Sequence, residues 1–289
     1  MNKDGLILID KPEGITSFVA VAVVRRALGI KSCGHTGTLD PLATGLLPIL
    51  TGKATKLSAY MLEGDKSYRA TLRFGLATDS YDITGNVVSE DGCAPTEEEL
   101  RVILPRFVGR QQQVPPMYSA LKKDGVALYK LARNGQTLDL PAREIEIHRL
   151  ELLSYQNGEA VLEVDCSKGT YIRSLCKDIA DALGMLGCMS ALRRTATCGF
   201  SLEQAIPLYE AEERLKAGED LLQSPEMAMP LPAYTPVPFF ARLLKNGCAV
   251  EMKKLRGSPA ERCWVYDEEE RLGIGEPQED GTFKLVTHL

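Results

Sequence analysis

The feature that most restricts the fold of this chain is a cluster of prolines near its carboxyl end. Five of the sixteen prolines fall between residues 225 and 238. Proline has a fixed φ and no backbone N–H, so such a segment holds neither a regular helix nor a central strand and favours a linker. We therefore predict two parts, a larger domain over residues 1–230 and a smaller domain over residues 236–289.

The smaller part has the pattern of a β-rich domain. Stretches rich in β-branched and aromatic residues alternate with turns that contain Glu and Gly, and they span residues 263–267, 271–276 and 282–287. Residues 239–262 hold six Lys or Arg against two Asp or Glu, although the whole chain has a net charge of −5. A basic face on an acidic protein is compatible with binding to nucleic acid.

The larger part alternates helices and strands without an internal repeat. An apolar strand over residues 6–10 is followed by a turn and a helix from about residue 17 to residue 28, which Gly29 can end in the left-handed conformation. Residues 144–150 and 160–166 alternate apolar and polar side chains and are expected to pair as antiparallel strands. We predict an α+β fold around a mixed, mainly antiparallel sheet.

A further helix is predicted to begin after Thr170, as its N-cap, and to run to about Leu183. Arg173 then lies in the first turn, where a positive charge opposes the helix dipole. We therefore expect Arg173 to have an anionic partner, either a carboxylate or a phosphate.

Composition disfavours several classes of protein. No apolar run approaches the roughly 18 residues that cross a bilayer, and the amino-terminal segment is too short and acidic for a signal peptide. The eight cysteines include no Cys-x-x-Cys pair, and the three histidines lack zinc-ligand spacing. We expect a cytoplasmic protein with reduced thiols and with no metal or organic cofactor.

The most unusual stretch is residues 34–45, Gly-His-Thr-Gly-Thr-Leu-Asp-Pro-Leu-Ala-Thr-Gly. Its glycines permit positive φ, and Pro41 fixes the chain immediately after Asp40. From the residues alone, Asp40 is either a turn residue bonded to nearby backbone or a carboxylate held in place for chemistry. His35 alone is equally compatible with an ordinary loop residue.

This stretch resembles the signature loop of the TruB-type transfer-RNA pseudouridine synthases, in which the aspartate is the essential residue. Other segments resemble family motifs in order and approximate spacing, and they span residues 10–17, 65–68, 114–122, 169–173 and 192–194. The resemblance is strong over about residues 5–200. The last fifty or so residues resemble family RNA-binding domains only loosely.

The resemblance implies a tRNA pseudouridine synthase, an isomerase that converts the T-loop uridine, position 55 in standard transfer-RNA numbering, to pseudouridine. The base would be flipped out of the RNA, and no guide RNA would be needed. The partner would be the T-arm of tRNA. We expect no required protein partner, no membrane contact and a monomeric enzyme.

The resemblance also implies roles for single residues at the reacting bond. Asp40 would be the catalytic carboxylate, acting either as a nucleophile at the sugar or as a base at C2′. Arg173 would pair with Asp40 and keep it ionised. Tyr68 would stack on the extruded uracil, unless it is an ordinary core tyrosine.

Other substrate-binding residues follow from the same motifs. His35 would help to fill the gap that the flipped nucleotide leaves. Leu192 would line the uracil pocket, unless it is simply a core residue, and Tyr171 belongs to the same motif as Arg173. Lys11 would support the aspartate loop or touch the RNA backbone.

Two other functions use the same features. A non-catalytic RNA-binding or RNA-folding factor would need the shape and charge of the site but not Asp40, Tyr68 and Arg173 together. A nucleoside hydrolase would use Asp40 and release free uracil, whereas an isomerase keeps the base attached.

Overall fold

A computed structural model describes residues 3–119, 121–123, 125–128, 131, 138–257, 259–268 and 270–289. Ala120, in the family-like segment 114–122, lies outside these described residues. The helices are α1 Ser17–Leu28, α2 Ser58–Met61, α3 Glu97–Ile103, α4 Ile172–Ala182, α5 Leu208–Lys216 and α6 Pro238–Lys245. The short 3-10 helices are Gly52–Leu57, Leu104–Phe107, Leu202–Gln204, Pro225–Ala228 and Met252–Lys254.

The strands lie both before and after the proline-rich segment. Those before it are β1 Gly5–Lys11, β2 Cys33–His35, β3 Thr44–Thr51, β4 Lys66–Phe74, β5 Leu76–Thr78, β6 Val87–Glu90, β7 Gly109–Gln113, β8 Lys122–Lys123, β9 Val126–Ala127, β10 Arg143–Gln156, β11 Glu159–Cys166, β12 Gly187–Thr197, β13 Phe200–Ser201 and β14 Ile206–Pro207. Those within or after it are β15 Ala233–Tyr234, β16 Val250–Glu251, β17 Cys263–Asp267, β18 Glu270–Pro277 and β19 Thr282–His288.

A large mixed sheet organises most of the described residues. Its order is β14-β1-β3-β12-β4-β11-β10-β7, with β2 beside β3 and β13 beside β12. The β1–β14 and β3–β12 pairs are parallel, and the other pairs along this order are antiparallel. The predicted α+β fold around a mixed, mainly antiparallel sheet is therefore confirmed.

Several local predictions also agree with the structure. Helix α1 spans Ser17–Leu28, Thr16 accepts a hydrogen bond from the Val19 amide as N-cap, and Gly29 ends the helix with φ of 64°. Strands β10 and β11 pair antiparallel as expected. The predicted N-cap Thr170 is wrong: α4 begins one residue later, with Tyr171 as the cap and without a side-chain cap bond. The Thr170 hydroxyl instead donates to the Ser167 carbonyl, which closes the preceding turn.

The carboxyl-terminal part forms a second sheet in the order β15-β17-β18-β19-β16. Its strands β17, β18 and β19 cover the three segments that the sequence predicted. The proline-rich segment connects the two sheets and is itself packed: the Trp264 indole donates to the Met229 carbonyl at 2.8 Å, and Arg271 donates to Glu226 at 2.7 Å. Helix α6 begins at Pro238, the first helical position, where no backbone donor is required.

Three groups of buried apolar side chains stabilise this arrangement. The largest lies between the large sheet and helices α1, α4 and α5, and a separate one fills the small sheet. The third joins the two sheets, because Leu6, Leu8 and Leu46 of the large sheet pack with Trp264 and Ile274 of the small one. Among the described helices, none combines the length and the apolar character that a membrane span requires.

Candidate active site

Asp40 lies in the loop between β2 and β3, and this loop is bonded to the start of α1. The buried Ser17 hydroxyl donates to the Leu39 carbonyl at 3.0 Å and accepts from the Leu39 amide at 2.8 Å. The Gly14 amide donates to the Pro41 carbonyl at 2.8 Å. The backbone on both sides of Asp40 is therefore fixed, which holds the carboxylate in one place.

Lys11 lies beneath the same loop, and its side chain is fully buried. Its ammonium donates to the carbonyls of Pro12 and Ile15, both at 2.8 Å, and to that of Pro41 at 3.4 Å. Burial lowers the pKa of Lys11 to about 8, although the negative charge of Asp40 opposes this shift. Lys11 thus contacts the backbone next to Asp40, and its supporting role stays a prediction.

Arg173 holds the carboxylate from the opposite side. Its Nε lies 3.0 Å from Asp40 Oδ2, and its side chain is 6% exposed while that of Asp40 is 38% exposed. The other guanidinium nitrogens donate to backbone carbonyls, Nη1 to Ser80 at 3.0 Å and Nη2 to Tyr118 at 2.7 Å. Arg173 is thus oriented by backbone, and Asp40 keeps one accessible side for a substrate.

A second carboxylate, Asp82, also contacts Arg173. Its Oδ2 lies 3.4 Å from Arg173 Nη1, and the side chain is almost fully buried. Its Oδ1 accepts hydrogen bonds from Ser80 Oγ at 3.0 Å, from the Thr84 amide at 3.0 Å and from Thr84 Oγ1 at 2.6 Å. Asp82 is therefore a fixed ionic partner that binds the arginine but does not compete for its Nε.

The charges around Asp40 act in opposite directions on its pKa. Burial raises the pKa of Asp40 above that of an ordinary aspartate, Arg173 and Lys11 lower it, and the negative charge of Asp82 raises it. The net direction is upward. Arg173 therefore offsets, but does not cancel, the cost of ionising a carboxylate at this site.

A cavity of about 330 Å³ opens on the Asp40–Arg173 pair and is called here the Tyr68 cavity. Its walls combine an aromatic ring, apolar side chains and the catalytic loop, and they include Thr38, Asp40, Lys66, Tyr68, Tyr171, Arg173, Leu192 and Arg194. Cavities that are mainly apolar, with a few fixed polar groups, are typical of small-ligand sites. This one has the size and the wall chemistry for a single nucleobase.

Arg194 lies behind Tyr68 in the sheet and is completely buried. It pairs with Tyr68 across β12 and β4 and donates to the carbonyls of Leu46 at 2.8 Å and Gly37 at 3.2 Å. Burial raises the pKa of Tyr68, while the charge and hydrogen bond of Arg194 lower it. The hydroxyl is thus protonated near neutral pH and stands next to a fixed positive charge.

Strand β3 must come very close to β12 for this arrangement. Gly45 has φ of 99°, and a Cβ at this position would lie 2.3 Å from the Arg194 carbonyl oxygen. Any larger residue would separate the two strands. Gly45 therefore permits the strand contact that brings Arg194 beneath the aspartate loop.

A second cavity of about 500 Å³ lies on the other side of Asp40 and Arg173 and is called here the acidic cavity. Its walls include Asp79 and Asp82 as well as polar groups of Thr16, Ser80 and Asn86. Asp79 accepts hydrogen bonds from the Asn86 amide at 2.9 Å and from the Tyr118 hydroxyl at 3.2 Å. The two cavities share the Asp40–Arg173 pair but differ in charge.

The structure brings most of the predicted site residues together. Asp40, Tyr68, Tyr171, Arg173 and Leu192 all line the Tyr68 cavity. Lys11 lies below the loop, and His35 lines a separate groove. Their roles stay predictions.

Three residues of the site were not predicted from the sequence as functional. Asp82 lies in the polar segment Thr-Asp-Ser-Tyr-Asp-Ile-Thr-Gly over residues 78–85, which has only the pattern of a turn. Arg194 and Lys66 lie in motifs that were recognised, but neither was assigned a role. No local signal shows that these side chains converge, because they come from distant parts of the sequence.

Two family models match this chain. The model described as the N-terminal domain of TruB family pseudouridylate synthases matches residues 25–172. The model of the tRNA pseudouridylate synthase B C-terminal domain matches residues 173–226. The second match covers α4, β12 and α5 of the large part rather than the small sheet. The chain belongs to the TruB family of pseudouridylate synthases.

Two bacterial relatives of this chain carry the same name. A protein of Clostridium tetani named tRNA pseudouridine synthase B is 40% identical over 289 residues, with 99% of each chain covered. A protein of Chromobacterium violaceum with the same name is 44% identical over 297 aligned positions, covering 99% of this chain and 94% of that one.

Solved structures agree at the level of the fold. The crystal structure of a Cbf5-Nop10-Gar1 complex contains a chain with a TM-score of 0.72 and 24% identity, covering 99% of this chain and 80% of that one. An archaeal Nop10-Cbf5 complex gives a TM-score of 0.71 at 21% identity, covering 99% of this chain and 86% of that one. This chain therefore shares its fold with the matched chains of these two complexes.

Proposed function

We propose that this chain isomerises the T-loop uridine at position 55 of tRNA to pseudouridine, without guide RNA. The observation that carries this proposal is the Asp40–Arg173 pair, 3.0 Å apart, on the wall of the nucleobase-sized Tyr68 cavity. Membership of the TruB family and the name that these relatives carry, tRNA pseudouridine synthase B, support the same substrate.

The reaction breaks the bond between C1′ and N1, turns the uracil and forms a bond between C1′ and C5. The proton on C5 is lost and N1 gains one, so the product is an isomer and no oxidant is consumed. A positioned carboxylate is sufficient for the first step, whether it attacks C1′ or removes a proton from C2′. Asp40 has one oxygen bonded to Arg173 and a side chain accessible from the cavity, as either route requires.

Tyr68 and Arg194 supply the second part of the proposed mechanism. The Tyr68 ring forms a wall against which an extruded uracil can stack. Uracil carries negative charge when it leaves C1′, and a buried guanidinium next to the tyrosine hydroxyl stabilises such charge in a site of low dielectric. We assign substrate-binding roles to Tyr171 and Leu192 from their positions on the same cavity.

The remaining assignments extend this proposal to the whole chain. Residues 1–230 would form the catalytic domain, and residues 236–289 would form a small RNA-binding domain of the kind called PUA-like. Basic side chains on α6 and on the 3-10 helix Met252–Lys254 support contact with the RNA backbone. We further propose a cytoplasmic enzyme that acts on the T-arm as a monomer, with no required protein partner.

Asp40→Asn tests the proposal directly. The amide keeps the size of the side chain but cannot act as a base or a nucleophile, so isomerisation should be lost while tRNA binding is retained. Tritium release from tRNA labelled at C5 of uridine measures the reaction, and Asp79→Asn, which lies outside the catalytic pair, serves as the control. Multiple turnover by Asp40→Asn would overturn the assignment.

Analysis of the reaction product separates isomerisation from hydrolysis. A nucleoside hydrolase would release free uracil and leave an abasic site, whereas the isomerase keeps the base on the RNA. Nucleoside analysis of the digested product should therefore show pseudouridine and no free uracil. Free uracil in proportion to the lost uridine would favour the hydrolase.

A further inference from the structure

A groove outside the Asp40 site lies between α1 and β2. It has a volume of about 310 Å³, with Phe18, Val21 and Arg25 on its helix side and Cys33 and His35 on its strand side. Phe18 is 72% exposed, whereas Val21 is 7% exposed and forms the floor. The groove therefore presents an aromatic face to solvent above an apolar base.

The helix side of the groove is a consequence of helical spacing. Phe18, Val21 and Arg25 are separated by three and four residues, so their side chains lie on one face of α1. The guanidinium of Arg25 lies about two helical turns beyond the exposed ring of Phe18, so both side chains can contact the same planar ligand. Arg25 is exposed, and within the described residues no ion pair engages it.

The groove carries a positive charge at Arg25, while Cys33 and His35 are uncharged. Burial raises the pKa of Cys33 to about 11, so its thiol is uncharged near pH 7. Burial, together with the positive charge of Arg194, lowers the pKa of His35, so the imidazole is neutral. None of the described residues that line the groove is acidic, and Arg25 is its source of charge. The wall chemistry suits a planar, electron-rich ring that stacks and also accepts a cation–π contact.

The groove is continuous with the catalytic loop. His35 lines the groove, and Gly37 and Thr38 of the same loop line the Tyr68 cavity. His35 and Thr38 are three residues apart, so their Cα atoms are separated by at most about 11 Å. The loop that carries Asp40 therefore connects the groove to the Tyr68 cavity, and one RNA loop can reach both.

We infer that this groove binds a second, unpaired nucleobase of the RNA substrate, stacked against Phe18 and contacted by Arg25. The inference rests on the proposed function, because it takes the occupant of the Tyr68 cavity to be a flipped uridine. The groove binds a neighbour of that uridine and contributes affinity and register rather than chemistry. The apolar and aromatic walls favour a base over a phosphate. A phosphate is bound best by several charged hydrogen-bond donors, and the lining of this groove offers the guanidinium of Arg25.

The test uses the full-length protein with Phe18→Ala, Phe18→Trp and the matched control Val19→Ala. Val19 is the next residue of α1, is 41% exposed and does not line the groove. Phe18→Ala should raise the Kd for tRNA roughly 5- to 150-fold, the range that base–aromatic stacking gives. Phe18→Trp and Val19→Ala should bind as the parent does, and the single-turnover rate at saturating enzyme should be unchanged in all three.

A set of T-arm hairpins, each with one abasic nucleotide near the target uridine, identifies the bound base. The effect of Phe18→Ala should disappear with the RNA that lacks the stacked base, because the contact with Phe18 is already absent there. It should persist with the other RNAs. Equal affinity of Phe18→Ala and the parent, an equal loss with Val19→Ala, or an effect that no abasic position removes would each overturn the inference. A change in oligomeric state of Phe18→Ala without a change in RNA affinity would assign the groove to a protein contact and overturn it as well.

The failure of this inference is distinguishable from the failure of the proposed function. If the parent protein releases no tritium from C5-labelled tRNA, the proposed function fails whatever Phe18→Ala does. If the parent is active and Phe18→Ala binds RNA normally, only the groove assignment fails.

Discussion

The two cavities on either side of Asp40 share the Asp40–Arg173 pair and differ in size and in the chemistry of their walls. The acidic cavity is the larger, about 500 Å³ against about 330 Å³ for the Tyr68 cavity. Its walls carry Asp79 and Asp82, which repel the phosphates of RNA. The Tyr68 cavity combines an aromatic ring and apolar side chains with Arg194 beneath them, which suits a neutral base that becomes negative during the reaction.

This difference separates two tasks. The acidic side fixes the position of Arg173 through Asp82 and the Ser80 carbonyl, and it raises the pKa of Asp40. In the proposed function the Tyr68 side presents Asp40 to a base. On that proposal the larger cavity is not the substrate site, because it belongs to the side that positions Arg173.

Arg173→Met should have the largest effect after loss of Asp40 itself, because Arg173 belongs to both cavities. The carboxylate loses its oriented donor and Asp82 loses its cation, so we expect the single-turnover rate to fall about 100- to 1000-fold. The Kd for tRNA should change little. Arg173→Lys should recover only part of the rate, because lysine lacks the planar fork. A phosphate-binding arginine would give a different result. The Kd for tRNA would rise and depend less on salt, while turnover at saturation would stay normal.

Asp82→Asn should have a smaller effect, confined to the acidic side. The amide still accepts hydrogen bonds but no longer holds Arg173 by charge, and we expect a rate loss of about 10- to 100-fold. Asp40 must be ionised to act, and Asp82 raises its pKa, so activity falls as pH drops through that raised pKa. Removing this charge should move the acidic limb of the pH–rate profile to lower pH.

Asp79→Asn is the matched control for Asp82→Asn. It lies on the same cavity but contacts Asn86 and Tyr118 rather than the guanidinium of Arg173. Its pH–rate profile should coincide with that of the parent. An equal shift in both variants would show a general charge effect and would remove the special role of Asp82.

Lys11→Met should have the smallest effect on the two cavities. Its effect is best measured as a change in the free energy of unfolding. The pKa of Lys11 is lowered to about 8 by burial, so between that pH and the ordinary lysine pKa the unfolded chain binds more protons than the folded one. Stability attributable to Lys11 therefore rises with pH over this window. Urea unfolding at pH 7.5 and pH 10 should show a gain in the parent, relative to Lys11→Met, of on the order of 1–3 kcal/mol. An identical pH dependence in the two proteins would contradict this.

Local sequence patterns predicted much of the fold. The end of α1 followed from Gly29, whereas its N-cap Thr16 was found only in the structure. The strands of the small sheet followed from alternation and turns. The order of strands in the large sheet could not be predicted, because the parallel contact of β3 with β12 joins residues almost 150 positions apart. The start of α4 was misplaced because the Thr170 hydroxyl bonds backward to Ser167.

The site was predicted only where a motif carried it. Asp40 and Arg173 follow from the resemblance, and an anionic partner for Arg173 followed independently from its place in the first turn of a helix. Asp82 was missed because a turn-rich segment does not show which of its carboxylates will be buried. Its bonds to Ser80 and Thr84 are local, but its role depends on the contact with Arg173, which is distant in sequence and which no local pattern encodes.

The strand β1 belongs to two apolar cores at once. Ile7 and Ile9 face the helices, while Leu6 and Leu8 face Trp264 and Ile274 of the small sheet. The same strand ends at Lys11, directly beneath the aspartate loop. The small sheet therefore covers one apolar face of the strand whose end supports the aspartate loop, so loss of packing at Trp264 would reach the site through β1.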